Sequence, residues 1–343
     1  MFSSFLKMGK NIGIDLGTAN TLIYIDGQGI VVREPSVVAI DKNDGKVLAV
    51  GNSANEMLGR TPDNIIAIRP MKDGVIADFD ITQEMIKVLL QKAFGKKQGI
   101  VKPNVTVCVP SGITNVEKRA VEDAVGAAGA KNIVIMEEPM AAAIGAGVDV
   151  ERPIGHMIVD IGGGTTEVAV VSLCGIVVSK SLRLAGNAID SAISSYIKHA
   201  YNLTVGDRTS EEIKIAIGSA LPFDNESGYE IKGRDIVSGL PKTVTVSAAE
   251  IRDAMSEPIR EIVSAITAAL EQTPPELAGD IMENGIILSG GGAMIRNLDK
   301  MINMITGLPV TVADNPLDCV ALGAVKAGTD MNIVKRSSSA AQN

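Results

Sequence analysis

The sequence predicts an α/β protein with mixed sheets, built from two copies of one domain, and three observations lead there. The first is a pair of matched stretches. Ile12 to Tyr24 and Met157 to Glu167 each run from apolar residues into an aspartate, a glycine-containing turn and resumed strand-like alternation. Asp15 matches Asp160, Gly17 matches Gly162 and Thr21 matches Thr166, a repeat of 145 residues (160 minus 15). That period is too long for a solenoid and fits a duplicated domain. The second is the alternation of strand and helix signals between Val105 and Gly145. The third is length, since 343 residues suit about two domains with real cores.

Composition narrows the chemistry. The chain is 46% hydrophobic with no tryptophan and 3% aromatic residues, so its core is aliphatic. A net charge of −8 argues against a general nucleic-acid-binding surface. Cys108, Cys174 and Cys319 form no CxxC pair and sit in or near apolar stretches, as buried thiols do. The two histidines, His156 and His199, cannot build a histidine-rich metal site. No run approaches the ~20 apolar residues of a membrane span, and no signal peptide with a cleavage site is evident.

Taken in order, Phe2, Phe5 and Leu6 fall at helical spacing beside Lys7 and Lys10. They form either a small interfacial anchor or a frayed terminus packed on the domain. Short strands follow: the Asp15 hairpin, Gly29 to Arg33, Ser36 to Asp41 and Val47 to Val50, with Asn43-Asp44-Gly45 as the last turn. Residues 51–80 are mixed. Ile81 to Phe94 has a helical apolar face, and Gly95 to Gly99 reads as an exposed basic loop.

Val105 to Val109 is a buried strand, and Thr114-Asn115-Val116-Glu117 has capping-box spacing for a helix to about Ala128. After a strand from Ile133 to Met136, Pro139 suits a first helical position, which puts Glu138 at the helix cap. Beyond the Asp160 hairpin come a strand from Gly175 to Leu184 and a helix from Ala185 through about Ala200. Thr209 to Glu212 is a second capping-box candidate, for a helix from Ile213 to Ala220. Residues 221–246 are turn-rich with short strands. Ser247 to Glu250 is a third capping box, before a long helix to about Gln272 that Pro258 should kink or divide. Ile286 to Leu288 is a strand ending in Ser289-Gly290-Gly291-Gly292. A helix from Ala293 to about Met304, a strand from Val310 to Val312 and a helix from Leu317 to Gly328 complete the pattern. The small polar stretch from Ser337 reads as disordered.

The matched hairpins carry the chemistry. Glycines let backbone N–H groups approach an anion, and an aspartate at the strand end can hold hydrated Mg²⁺ against it. A single such turn is equally a plain β-hairpin. Two of them, facing each other across a cleft, suit a nucleoside triphosphate with Mg²⁺.

The ordered set of Asp15 hairpin, Glu138-Pro139, Asp160 hairpin and Ser289 to Gly292 resembles the actin, Hsp70 and sugar-kinase superfamily of ATPases over nearly the whole chain. Longer strings are similar to one family within it, the bacterial actins of the MreB type. These are Asp15 to Tyr24, Glu34 to Ala39, Arg69 to Asp78, Glu137 to Gly147 and Asp160 to Val168.

The resemblance implies an actin-like fold of duplicated ribonuclease H-like domains, with two lobes and four subdomains around a nucleotide cleft. The first lobe would comprise residues 1–32, 71–145 and 319–343, with a small subdomain at 33–70. The second would comprise 146–184 and 246–318, with a small subdomain at 185–245. It further implies that Gly17, Thr18, Ala19 and Asn20 hold phosphates from one side and Gly162, Gly163, Gly164 and Thr165 from the other. Asp15 and Asp160 would hold Mg²⁺ through its waters, and Glu138 with Thr165 would orient the attacking water. Gly290, Gly291 and Gly292 would admit adenine and ribose, and Glu211 and Lys214 would reach the ribose or adenine edge. Glu138 as a mere helix cap, and Glu211 with Lys214 as surface ion-pairing residues, are the structural alternatives.

Family membership implies a slow ATPase whose subunits stack head to tail into filaments, paired as protofilaments, because a heterologous contact does not close. The filaments would lie on the inner face of the cytoplasmic membrane, work with membrane proteins of the cell-wall elongation machinery and set rod shape. The alternative is a sugar or small-metabolite kinase of the same fold, for which Asp78 or Glu167 could serve as base, though no second-substrate motif stands out. A chaperone-type ATPase would need a further peptide-binding domain.

Overall fold

The computed structural model describes residues 11–94 and 103–330. The expectations for Phe2, Phe5 and Leu6, for the basic loop at 95–99 and for the stretch from Ser337 lie outside the described residues.

The first half opens with β1 (Asn11–Leu16), β2 (Asn20–Ile25), β3 (Gly29–Pro35), β4 (Val38–Asp41), β5 (Val47–Val50) and the short α1 (Asn52–Asn55). It continues with β6 (Ile65–Ile68), β7 (Met71–Lys72), β8 (Val75–Ile76), α2 (Phe79–Phe94), β9 (Asn104–Val109), α3 (Asn115–Ala127), β10 (Asn132–Glu137) and α4 (Glu138–Gly145). The second half contains β11 (His156–Ile161), β12 (Thr166–Ser172), β13 (Gly175–Leu182), α5 (Gly186–Tyr201), β14 (Leu203–Thr204), α6 (Asp207–Ile217), β15 (Gly228–Asp235) and β16 (Pro241–Ser247). Then come α7 (Ala248–Glu271), α8 (Pro275–Asn284), β17 (Ile286–Ser289), a 3₁₀ turn (Gly291–Met294), α9 (Leu298–Thr306), β18 (Val310–Val312) and α10 (Cys319–Thr329).

Two five-stranded sheets repeat one plan: β3-β2-β1-β9-β10 and β13-β12-β11-β17-β18. In each, the hairpin partners are antiparallel and the next two strands are parallel. Each also carries a register shift in its outer antiparallel pair, at Ile23/Tyr24 and at Val170/Val171. The duplication read from the two hairpins therefore extends to whole sheets. It puts Asp15 and Asp160 on equivalent strands, each one residue before the strand's end.

Aliphatic side chains fill three main layers. Ile12, Ile14, Met85, Leu89 and Val107 pack the first sheet beneath α2 and α3. Val159, Ile189, Ile259, Ile266 and Leu288 pack the second sheet beneath α5 and α7. Between the sheets, Met140, Ala141, Ile158, Val171 and Ala324 join α4 and α10 to β11 and β12. Each large aliphatic side chain so buried contributes roughly 1.5–3 kcal/mol. Two small sheets, β5-β4-β6 and β14-β15-β16, stand apart from the large ones. All three cysteines are buried, as their sequence settings suggest. No helix among the described residues is long and apolar enough to cross a membrane.

The helices α4 and α10 cross at backbone distance. A Cβ on Gly145 would run into the Cys319 carbonyl, and one on Gly323 would run into that of Ala141. Only glycine fits these two positions, and the crossing locks α10 against α4 and the strand β1, where Gly13 meets Ala321 in the same way.

Several local expectations need correction. Glu138 is the first residue of α4, not its cap; the cap position is Glu137, with Pro139 next inside. The box at Thr209 does not form, because α6 starts earlier, at Asp207 behind Gly206, and ends at Ile217. The predicted helix from Ala293 is broken: Asn297 adopts a left-handed conformation (φ 60°) between the 3₁₀ turn and α9. Pro258 lies within α7 without dividing it, buried on its core face. The helix α8, with prolines at its start, was not anticipated. The boxes at Thr114 and Ser247 both form, each with reciprocal hydrogen bonds to the glutamate three residues on.

Candidate functional site

The two hairpin turns meet. A Cβ on Gly163 would collide with that of Ala19, and one on Gly164 would lie 2.6 Å from the Thr18 hydroxyl. Glycine is thus required for the turns to approach this closely. Thr165 sits behind them, 8% exposed, its carbonyl accepting the Gly162 amide at 2.9 Å. The carbonyls of Gly162 and Gly163 accept the amides of Gly186 and Asn187 at the start of α5, at 3.1 and 2.8 Å. Asn20 is exposed at the far end of the first turn.

Four carboxyl groups gather around this junction. Asp160 is 6% exposed, and burial pushes it up to about 6 despite the hydrogen bond it accepts from Ser289 Oγ at 2.6 Å. Burial, then the negative charge of Asp160, push Asp15 up to about 7. Glu138, 7% exposed, is held well above the usual carboxylate range by burial and then by Asp15, Glu167 and Asp160. Glu167 lies opposite Asp160 in the β11–β12 register. Burial raises it to about 7, although it accepts hydrogen bonds from Ser181 Oγ (2.6 Å) and from the Ser111 amide (3.2 Å). Burial, and then the charges of Asp15, Glu138 and Asp160, push the Cys108 thiol well above its usual range, which favours its protonated form.

Such a cluster is costly unless a cation or shared protons neutralise it. Its donors are hard oxygens, which suit Mg²⁺. No group of three or more His, Cys, Asp or Glu among the described residues forms a complete cage. Asp15 and Asp160 therefore fit an ion that takes one or two carboxylates and completes its shell with water and phosphate. The Ser111 hydroxyl, buried near Glu167, has no hydrogen-bond partner.

The remaining expected residues are placed differently. Gly290 (φ 79°) and Gly292 both lie hard against Ile161, so close packing onto β11 already requires them, and only Gly291 of the three is exposed. Lys214 is an ion-pair partner of Asp190 at 2.9 Å and donates to the Gly186 carbonyl at 3.2 Å, which ties α6 to the start of α5. Glu211 is exposed on α6. Asp78, weighed as a kinase base, accepts the Ile81 amide at 3.1 Å and so caps the start of α2. Glu167, weighed in the sequence only as a kinase base, proves to be part of the buried cluster; its place directly after Thr165-Thr166 was the available signal.

The profile of the family described as MreB/Mbl protein matches residues 9–336. The chain belongs to the MreB/Mbl family. It is 52% identical over 332 residues to the cell shape-determining protein MreB of Escherichia coli K12, covering 95% of this chain and 96% of that one. It is 50% identical over 314 residues to the cell shape-determining protein Mbl of Bacillus subtilis 168, covering 92% and 94%. Among solved structures, MreB5 of Spiroplasma citri bound to ADP superposes with a TM-score of 0.89 at 42% identity, covering 96% of this chain and 98% of that one. The same protein bound to AMPPNP gives the same values. The MamK double helical filament, at 20% identity and TM-score 0.79, shares the fold. The MreB/Mbl membership makes the chain a bacterial actin of the cell-shape class with the actin-like fold, and it sets aside the sugar-kinase alternative.

Proposed function

We propose that the chain binds ATP with Mg²⁺ at the meeting of its two turns, hydrolyses it slowly and assembles head to tail into filaments that order cell-wall synthesis. The observation that carries this reading is the convergence of two like turns over four buried carboxyl groups, a donor-rich and charge-poised setting for a metal-bound polyphosphate. The ADP- and AMPPNP-bound forms of MreB5 support it.

In this reading the amides of Gly17, Thr18, Ala19 and Asn20 meet the phosphates from one side, and Gly162, Gly163, Gly164 and Thr165 meet them from the other. Asp15 and Asp160 would hold Mg²⁺, which offsets phosphate charge when bound. Glu138, with Thr165, orients the attacking water; its raised affinity for a proton suits a group that accepts one during attack. Gly290, Gly291 and Gly292 line the base and ribose side, with Glu211 and Lys214 at the ribose edge. Two lobes of two subdomains, divided near the positions expected from the sequence, would give this cleft its walls.

The filaments are proposed to be paired protofilaments at the inner face of the cytoplasmic membrane, anchored through Phe2, Phe5 and Leu6 and joined to membrane proteins of the elongation machinery. One short anchor binds weakly, and a filament multiplies it. The test is sedimentation of the full chain with anionic vesicles, with Mg·ATP or Mg·ADP, followed by electron microscopy of the pellet. ATP-dependent filaments on vesicles are expected. Filaments that ignore vesicles would remove the anchor, and monomers indifferent to nucleotide would overturn the reading.

A further inference from the structure

Two stretches that carry the family resemblance, Glu34 to Ala39 and Arg69 to Asp78, have no part in the nucleotide contacts proposed above. They hold the back of the first turn. Ser36 Oγ donates to the Gly17 carbonyl at 2.6 Å, and the Ser36 amide donates to the Ala19 carbonyl at 2.9 Å. Arg69 Nη1 donates to that same carbonyl at 3.4 Å, and the Gly74 amide donates to the Thr18 hydroxyl at 3.0 Å.

The hydroxyl of Ser36 has one proton, and it is spent on Gly17. Its 2.9 Å contact with Thr21 Oγ1 therefore has Thr21 as donor. The result is a directed chain, from the Thr21 hydroxyl to the Ser36 hydroxyl to the Gly17 carbonyl, at two side chains that are 1% and 0% exposed. Such chains strengthen each member in a low-dielectric interior. Arg69 makes no ion pair among the described residues, so its guanidinium is not committed to an acid.

A peptide unit is planar and trans, so its C=O and N–H point in opposite directions. Drawing the Gly17 carbonyl back toward Ser36 aims the Thr18 amide the other way. Drawing the Ala19 carbonyl toward Ser36 and Arg69 does the same for the Asn20 amide. We propose that Ser36 and Arg69 are positioning residues for nucleotide phosphates, acting by holding the carbonyls of turn 17–20 so that its amides face the anion. The proposal rests on that turn being a phosphate turn. It also makes the β4–β6 region responsive to the phosphate content of the nucleotide, since both residues flank that sheet.

The test uses the full chain and competition of ATP, ADP and AMP against a fluorescent ATP analogue in Mg²⁺. Ser36→Ala and Arg69→Gln should each weaken ATP about tenfold, ADP less, and AMP less than about twofold. Thr21→Val should act in the same direction, and Thr21→Ser, which keeps the hydroxyl, should restore the wild-type ratio. An equal loss for all three nucleotides, or none, would mean a purely structural role and overturn the proposal. Arg69 is partly exposed, so Arg69→Gln decides the matter if Ser36→Ala fails to fold. Wild-type protein that binds ATP no better than AMP would be a different result: it would remove the phosphate reading of the turn, and this inference with it.

Discussion

Asp15 bears on Glu138 more than any other charged group does; only burial itself does more to hold the Glu138 carboxyl above its usual range. In the proposed site, a bound cation would offset the neighbouring carboxylates and let Glu138 ionise, so that it can take a proton from water. Glu138→Gln, which keeps the size and removes the basicity, should leave ATP affinity within a few-fold and slow single-turnover phosphate release by roughly 100-fold or more. Wild-type turnover would assign the water to another residue.

The same relationship predicts a trade between stability and binding. Asp15→Asn removes one of the mutually repelling carboxylates, so the nucleotide-free protein should gain about 1 kcal/mol, or roughly 2 °C in Tm. Its affinity for Mg·ATP should fall at least about tenfold, because the proposed ligand for the ion is lost. Thermal melts with and without Mg·ATP check both. A lower nucleotide-free Tm would show that the repulsion costs nothing.

Much of this was legible in the sequence, and the failures have physical causes. The matched aspartates and glycines announced the duplication because the same residue types recur at the same spacing on equivalent strands of the two sheets. The caps at Thr114 and Ser247 were readable because a capping box is local in sequence. Thr209 misled for the same reason: the local pattern is present, but α6 begins a turn earlier, where Ile213 and Ile217 can both reach the core. The kinship of Ser36 with Gly17, or of Glu167 with Ser111, could not be read, since those contacts join residues 19 and 56 positions apart. The glycines at 290 and 292 were read as room for a ligand, and they are also what lets that turn pack on Ile161.

The crossing of α4 and α10 gives a prediction about stability. Gly323→Val would force its side chain into the Ala141 carbonyl, where both neighbours are backbone and cannot step aside. A loss of about 3 kcal/mol or more is expected, seen as a marked fall in Tm and in soluble yield. Gly279→Ala, on α8 where a Cβ meets nothing within 4 Å, should be neutral or slightly stabilising and serves as the control.

Glu250 gives a pH dependence. Hydrogen bonds from Ser247 and then Tyr201 lower it from 4.5 to about 2. The folded state therefore releases this proton more readily than the unfolded chain does. The resulting stabilisation is fully present above about pH 4.5 and is lost as pH falls from 4.5 towards 2. The difference in Tm between wild type and Glu250→Gln should be largest near neutrality and should shrink over that acid window. A difference that stays constant down to pH 2 would assign the effect of the substitution to packing.

Thr21 and Thr166 occupy equivalent places in the two halves, yet they spend their hydroxyls differently. Thr21 passes its proton bond to another side chain, Ser36, whereas Thr166 gives its own to the backbone carbonyl of Leu184 at 2.7 Å. The second turn is likewise backed by main chain, through Gly186 and Asn187. One half of the grip is thus an anvil, set by the backbone and indifferent to most side-chain changes nearby. The other is a jaw, held by the side chains of Thr21, Ser36 and Arg69 as well as by the Ser36 amide. Single substitutions at those side chains would change how the first turn of the proposed site is held and leave the hold on the second unaltered.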